Sequence, residues 1–306
     1  KINFILGNNA LGKTNIVESI YVTAFLKSFR THKVYDLIKE GFDSLFVKLF
    51  IIENNVKNKV DLYISKSEKN IKVNNKKPEN YKYLNVVIFH PEEVNYVTDY
   101  PVFRRNLIDR SIFYTDFEYL DLYRKYYRCL KQRNLLLKDK KITDDYFKEQ
   151  LIDFGSKIIK KRILYIKKIN SFFENYEFRR INSEEYILDY SKKYPANSIE
   201  DVLREEFERK QIRERQIGYT LVWPHKDDVI FYLNGRPASV YASQGQKRSM
   251  IISYKTAQIL DYKSVQGHYP VLILDDMTSE LDVNRKSVLL ENLLENSGQV
   301  FITSTD

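Results

Sequence analysis

Gly7-Asn8-Asn9-Ala10-Leu11-Gly12-Lys13-Thr14 runs near the start of this 306-residue chain and fits G-x-x-x-x-G-K-S/T, the phosphate-binding P-loop pattern. Just before it lies Ile2-Asn3-Phe4-Ile5-Leu6, a short apolar stretch that reads as a strand. Just after it, Ile16, Val17, Ile20, Tyr21 and Ala24 recur at helical spacing. Strand, glycine loop and helix N-terminus in that order are the context the pattern requires. The glycines let the backbone wrap a phosphate, and the amides that open the helix point at its oxygens. Residues 7–15, including Asn8, Asn9, Ala10, Leu11 and Asn15, are therefore the expected nucleotide cradle. Lys13 is expected to reach the β- and γ-phosphates of ATP, and the Thr14 hydroxyl to hold Mg²⁺.

A second stretch fits the same chemistry. Val271-Leu272-Ile273-Leu274 is fully apolar and ends in Asp275-Asp276. Such a strand delivers carboxylates to the crevice where α/β sheets bind ligands. Asp275 is expected to hold Mg²⁺, and Asp276 to sit beside the γ-phosphate and orient or deprotonate the attacking water. A third element is Ser243-Gln244-Gly245-Gln246. Ser243 is a good helix N-cap and Gly245 permits close approach of an anion, so this is a second phosphate-binding nest.

Between these motifs the texture changes twice. Phe46–Glu53, Val60–Ser65 and the weaker Ile71–Val73 read as strands of an antiparallel meander, with Asn/Lys-rich turns. Asn85–Phe89 reads as a buried strand closed by His90-Pro91. From Pro101 to Pro195 no proline interrupts the chain, as long helices prefer. Phe103–Phe113, Phe117–Leu137 and Tyr146–Phe173 carry a helical period, and Ser198–Glu214 is a further helix. Beyond it, Tyr219–Val222 and Val229–Leu233 read as strands of a hairpin-like unit with an Asn234-Gly235 turn. A helix is expected from Ser243 to about Asp261, another over Asn284–Glu295, and a last buried strand over Val300–Thr303. Strands alternate with helices at both ends of the chain, which argues an α/β class with a parallel sheet. The expected division is an ATPase lobe from 1–95 and 216–306, with a mainly helical lobe over 96–215 inserted between.

Composition narrows the class further. Hydrophobic residues make up 43% and charged residues 30%, with no apolar run long enough to span a membrane and no signal-peptide pattern. Cys129 is the only cysteine, which excludes a disulfide framework and favours a cytoplasmic location. The four histidines are scattered without ligand spacing. The net charge is +9, and it is not evenly spread. Residues 124–180 carry 17 Lys and Arg against 7 Asp and Glu, a net of +10. Tyr123, Tyr126, Tyr127 and Tyr165 are interleaved there, a pattern suited to nucleic acid. Arg124, Arg128, Lys131, Arg133 and Lys138 recur at near-helical spacing and are the candidate phosphate-backbone contacts. No base-reading motif is visible, so binding is expected to be sequence-independent and salt-sensitive. The abrupt start at the strand feeding the P-loop, and the stop at Asp306, suggest residues missing at both ends and within loops.

The P-loop, the Ser-x-Gly-Gln signature, the apolar strand ending in acids and then Ser279-Glu280-Leu281-Asp282 are the ordered parts of an ABC-type ATPase. The long helical insertion between P-loop and signature resembles the SMC-like branch, and within it the RecF family of bacterial recombination mediators. That resemblance runs through Gly7–Asn15, Ser28–Thr31, Phe89–Glu93, Pro101–Asp109, Leu130–Lys138, Pro224–Asp228, Ser243–Ser249, Leu274–Asp282 and Gln299–Asp306. It is weakest over about 140–215, and His90 and Trp223 depart from the family's small residues. The resemblance implies an ATP-dependent DNA-binding protein of recombinational repair, with weak, DNA-stimulated ATP hydrolysis. It implies a homodimer formed when ATP is bound, in which Ser243 and Gly245, supported by Gln246, cap the γ-phosphate held by the partner's P-loop. Asp282 would lie at the dimer seam, and Arg30 would touch phosphate or DNA. It implies duplex DNA or a duplex–single-strand junction as ligand, RecR and RecO mediators as partners, and a role in recombinase loading, replication restart and the SOS response. Another SMC-like ATPase head would need a far longer coiled coil. A small-molecule P-loop kinase would leave Ser243–Gln246 and Ser279–Asp282 without a purpose. A structural DNA binder that hydrolyses nothing would not need Lys13, Thr14, Asp275 and Asp276.

Overall fold

The apolar runs at both ends of the chain do pair with one another. In the computed structural model, the chain order begins β1 (Ile2–Leu6), α1 (Lys13–Phe25), β2 (Ser44–Glu53), β3 (Val56–Ser65), β4 (Lys69–Val73) and β5 (Val86–Phe89). It continues with α2 (Pro101–Thr115), α3 (Phe117–Lys138), α4 (Tyr146–Asn175), β6 (Tyr186–Tyr190), α5 (Ile199–Ile217), β7 (Val229–Leu233) and β8 (Arg236–Pro237). It closes with α6 (Ala238–Tyr241), α7 (Gln244–Gln266), β9 (Val271–Leu274) and β10 (Val300–Ser304). The structure describes residues 1–8, 10–31, 33–53, 55–78, 83–139, 146–175, 184–195, 198–222, 224–276, 291 and 293–305. Asn9, Asp282 and the rest of Ser279–Asp282 lie outside the described residues, as does most of the helix expected over 284–295, of which 291 and 293–295 are helical.

The chain divides by compactness into two units, one of Lys1–Pro91 with Tyr262–Asp306 and one of Glu92–Asp261.

In the first unit a parallel sheet has the strand order β1-β10-β9-β5. All its carboxyl ends therefore face one edge, where the P-loop leaves β1 and Asp275 leaves β9. Strands β5 and β9 are buried along nearly their whole length, which is why they are continuous runs of Val, Ile, Leu and Phe. Helix α1 buries Val17, Tyr21 and Ala24 against Val86, Ile88 and Ile273 of this sheet. The meander forms a sheet of its own, β2-β3-β4, antiparallel throughout. Its strands alternate. Val47, Val60, Leu62, Ile64 and Ile71 point into a second core with Val22 and Val34, and the residues between them face out.

The second unit is built on long helices. Pro101 starts α2 at the position where a missing amide costs nothing. The Asp116 side chain caps α3 by accepting from the Tyr119 amide at 3.1 Å. Gly218, at φ 79°, ends α5. Two expectations fail here. Tyr219–Val222 is not a strand, because its backbone is captured by side chains. The Thr220 amide donates to Asn134 Oδ1 at 2.8 Å, and the Leu221 amide to Glu214 Oε1 at 2.6 Å. The partner of β7 is instead β6, a strand missed in the charged middle of the chain. The two pair antiparallel from Tyr186↔Leu233 to Tyr190↔Val229, and β8 closes the Asn234-Gly235 turn.

Candidate functional site

The P-loop leaves β1 in a conformation that its residue types dictate. Gly12 stands in the left-handed region at φ 87° and caps α1 with no side-chain hydrogen bond. A Cβ there would be strained whatever the space, so glycine is required. Ala10 also has a positive φ, 65°. The Lys13 ammonium folds back over the loop, donating to the Gly7 carbonyl at 2.5 Å and the Asn8 carbonyl at 2.9 Å. It thus closes the cradle with a positive charge at the helix N-terminus, where the macrodipole also favours an anion.

The two nucleotide motifs, 261 residues apart in sequence, meet in one hydrogen bond. Thr14 Oγ1 donates to Asp275 Oδ1 at 3.1 Å. Asp275 is buried and accepts a second hydroxyl, that of Thr303, at 2.7 Å. Thr303 was not among the expected site residues. It lies on β10, the strand between β1 and β9, and its hydroxyl also accepts from the Asp276 amide at 3.0 Å. It therefore fixes both acids at once. The available signal was positional, a hydroxyl at the carboxyl end of the strand next to Asp275. Asp276 is exposed and left-handed at φ 48°, a conformation that aspartate tolerates better than most residues. The donors gathered here are all oxygen, one carboxylate and two hydroxyls. Such hard, uncrowded sets suit Mg²⁺ better than a soft transition metal. Among the described residues no cluster of three or more His, Cys, Asp or Glu forms a dedicated metal cage.

Arg30 is tied to the same helix. Its Nη1 donates to Asn15 Oδ1 at 3.0 Å and approaches Glu18 Oε2 at 3.3 Å. Ser28 Oγ accepts from the amides of Arg30 and Thr31, so Ser28–Thr31 is a hydroxyl-closed turn. The guanidinium is half-exposed beside the first turns of α1.

The signature lies in the other unit. Ser243 Oγ accepts from the Gln246 amide at 3.2 Å, and Gln246 Oε1 accepts from the Ser243 amide at 2.9 Å. This is a reciprocal capping box at the start of α7. Gln246 Nε2 then donates to the buried Glu184 at 3.0 Å, a support that no local motif revealed. Gly245 needs no glycine for its own chain: its φ is ordinary and an added Cβ would meet nothing within 4 Å.

Of the basic candidates, Arg124, Arg128, Lys131 and Lys138 are exposed on α3 at intervals that keep them on one stripe. Arg133 points the other way, against the expectation that it contacts a phosphate backbone. It is buried, with Nη2 at 2.8 Å from Glu214 and Nη1 donating to Thr220 at 2.8 Å. Its guanidinium lies 5.0 Å from the Phe207 ring centroid. A side chain so enclosed holds α3 to α5 and is not free to meet a phosphate.

Pro224–Asp228 is also tied down from within. Arg162 donates to the Pro224 carbonyl at 2.9 Å and forms a two-point pair with Asp109 at 2.7 and 2.8 Å. Arg104 pairs with Asp228 at 2.8 and 2.9 Å. Tyr126 bonds His225 at 2.7 Å, and Tyr190 donates to Asp227. Burial pushes the Asp227 carboxyl up to about 6 and the His225 imidazole down to about 4. Burial is the largest influence on Arg162 and opposes its charge, but the Asp109 carboxylate with Tyr119 and Tyr190 together outweigh it and hold its pKa well above the ordinary value.

A parallel sheet whose carboxyl edge carries a P-loop lysine and a strand-end aspartate defines a P-loop ATPase, and its sheets and helical region match the ABC-type head of SMC proteins. The model of the RecF/RecN/SMC N-terminal domain matches residues 1–306. A solved SMC head bound to the C-terminal winged-helix domain of ScpA aligns with a TM-score of 0.52 at 13% identity, over 99% of this chain and 81% of that one. It shares the fold alone. The DNA replication and repair protein RecF of Geotalea daltonii is 36% identical over 99% of this chain and 86% of its own length. That of Streptococcus suis is 37% identical over 99% and 86%. A solved structure of the recombination mediator protein RecF with ATP, from the RecFOR pathway, aligns with a TM-score of 0.89 at 31% identity, over 100% of this chain and 87% of that one. The chain belongs to the RecF family. Among its described residues no helix is long and apolar enough to cross a membrane.

Proposed function

We propose that this chain is a cytoplasmic, ATP-switched DNA-binding protein of recombinational repair. The observation that carries the reading is the Thr14–Asp275 hydrogen bond at 3.1 Å, which joins the P-loop to the strand-end acid. The RecF relative solved with ATP supports ATP as the ligand. Thr14 and Asp275 are the residues that would hold Mg²⁺, which would screen the phosphate charge. Lys13 and the loop amides of residues 7–15 bind the phosphates, Thr303 fixes Asp275, and Asp276 orients the water. With aspartate at 276, hydrolysis is slow and DNA-stimulated, so that it acts as a timer.

The lobe of 1–95 and 216–306 carries the nucleotide chemistry, and 96–215 is the helical insertion. ATP joins two copies, with Ser243 and Gly245 of one capping the γ-phosphate of the other. The open space at Gly245 supports this, because its own chain gives the glycine no task. Asp282 belongs to the same seam. The stripe of Arg124, Arg128, Lys131 and Lys138 grips phosphates of duplex DNA or a duplex–single-strand junction, and Arg30 acts beside the nucleotide. RecR and RecO are the partners, with recombinase loading, replication restart and the SOS response downstream. The test is Ser243→Arg. The variant is expected to bind ATP as wild type does but to stay monomeric; a variant that dimerises normally with ATP contradicts the signature's role in trans.

A further inference from the structure

The outward face of the meander carries a chemistry that the ATP site does not use. Residues 44–78 hold eight lysines against three acidic residues, a net of +5. The strand register sorts their side chains into rows. Phe46 lies opposite Tyr63, and Tyr63 opposite Asn70; Lys48 lies opposite Asp61, and Asp61 opposite Lys72; Phe50 lies opposite Lys59. Large aromatics are therefore presented outward: Phe46 is 57% exposed, Phe50 56% and Tyr63 38%. Lysines sit over two of them, Lys57 at 4.2 Å from the Phe50 centroid and Lys48 at 5.9 Å from that of Phe46. Phe46, Lys48, Lys59, Asp61, Tyr63 and Lys72 line a groove of about 400 Å³. At its floor Asp61 has one oxygen 2.6 Å from Lys59, while the other, Oδ1, is buried with no hydrogen-bond partner among the described residues. An acceptor left so is costly unless a ligand supplies a donor.

We infer that this sheet face is a binding site for single-stranded nucleic acid. Unpaired bases stack on Phe46, Tyr63 and Phe50, and Lys48, Lys57, Lys59 and Lys72 hold the phosphates. This is the combination of π-platform and basic groove that single strands need. Asp61 Oδ1 accepts from a base N–H. Duplexes keep their base faces stacked and their Watson–Crick donors paired, so the aromatics and Asp61 select the open strand. The proposal does not depend on the α3 stripe, which meets phosphates only.

The experiment is fluorescence anisotropy of the full chain with a labelled oligothymidylate and with a hairpin duplex of equal nucleotide count. Phe46→Ala with Tyr63→Ala is expected to weaken oligothymidylate binding about tenfold or more and leave the duplex within about twofold. Reversing the charge of Arg124, Arg128, Lys131 and Lys138 is expected to do the opposite. Photo-crosslinking wild-type protein to an oligonucleotide bearing iodouracil gives an independent readout, with adducts expected within residues 44–75. Unchanged oligothymidylate affinity, equal losses for strand and duplex, or adducts only outside that segment would each overturn the assignment.

Discussion

Asp109 and Arg162 show what one buried pair does in this protein. Both are buried, and they meet through two hydrogen bonds while Tyr119 donates to the same carboxylate at 2.6 Å. Removing one partner strands the other charge in a low-dielectric interior, which costs more than the pair itself contributes. Asp109→Ala is therefore expected to destabilise the second unit by about 3–5 kcal/mol, read as a lowered urea midpoint. Asp227 and His225 act in opposite senses. Burial raises the folded Asp227 pKa to about 6, so its contribution is present below the unfolded value and is lost as pH rises through 6. Burial lowers that of His225 to about 4, so its contribution is lost as pH falls toward 4. Between pH 4 and 6 the two slopes offset. Asp227→Asn leaves the histidine alone, and stability is then expected to rise with pH by up to about 1.4 kcal/mol per unit in that window. A flat profile in urea melts of the variant would contradict this. None of these pairs was legible in the sequence, because Asp109, Arg162 and Asp227 come from distant segments and their types alone read as surface. Arg133 is the sharpest example. Spacing placed it with the DNA contacts, and only packing against Glu214 and Phe207 removed it.

At the scale of elements, what periodicity could reach it reached well. The P-loop, the helix after it, the meander and the strand ending in Asp275-Asp276 all carry local signals, since their side chains alternate or recur on one face. Strand β6 did not, because Tyr186-Ile187-Leu188-Asp189-Tyr190 is short and its residues pair with β7 residues 39 to 47 positions further on. Tyr219–Val222 has the residues of a strand, but Asn134 and Glu214 take its amides first. Thr303 was visible as part of a strand and invisible as a site residue until β10 was seen between β1 and β9. The α3 stripe belongs to this scale too. Changing Arg124, Arg128, Lys131 and Lys138 to glutamate is expected to weaken duplex binding about tenfold or more and to lower the salt slope by about 4. ATP binding should stay unchanged. A salt slope equal to that of wild type in titrations from low to moderate salt would remove the stripe from the DNA interface.

At the scale of the whole molecule, the two units divide the work. One holds the P-loop, Asp275, Asp276 and Thr303; the other holds the capping box of Ser243 and Gln246 on Glu184, with the basic helix. A phosphate cradle without its cap and a cap without a cradle in the same unit are what a switch assembled from two copies would have. The direct test is the mass of the protein in solution by light scattering, with and without ATP, for wild type and Lys13→Met. Wild type is expected to double its mass on adding ATP, and the Lys13→Met protein to remain monomeric. A wild-type mass that ATP does not change, or a lysine variant that doubles as wild type does, would contradict the switch.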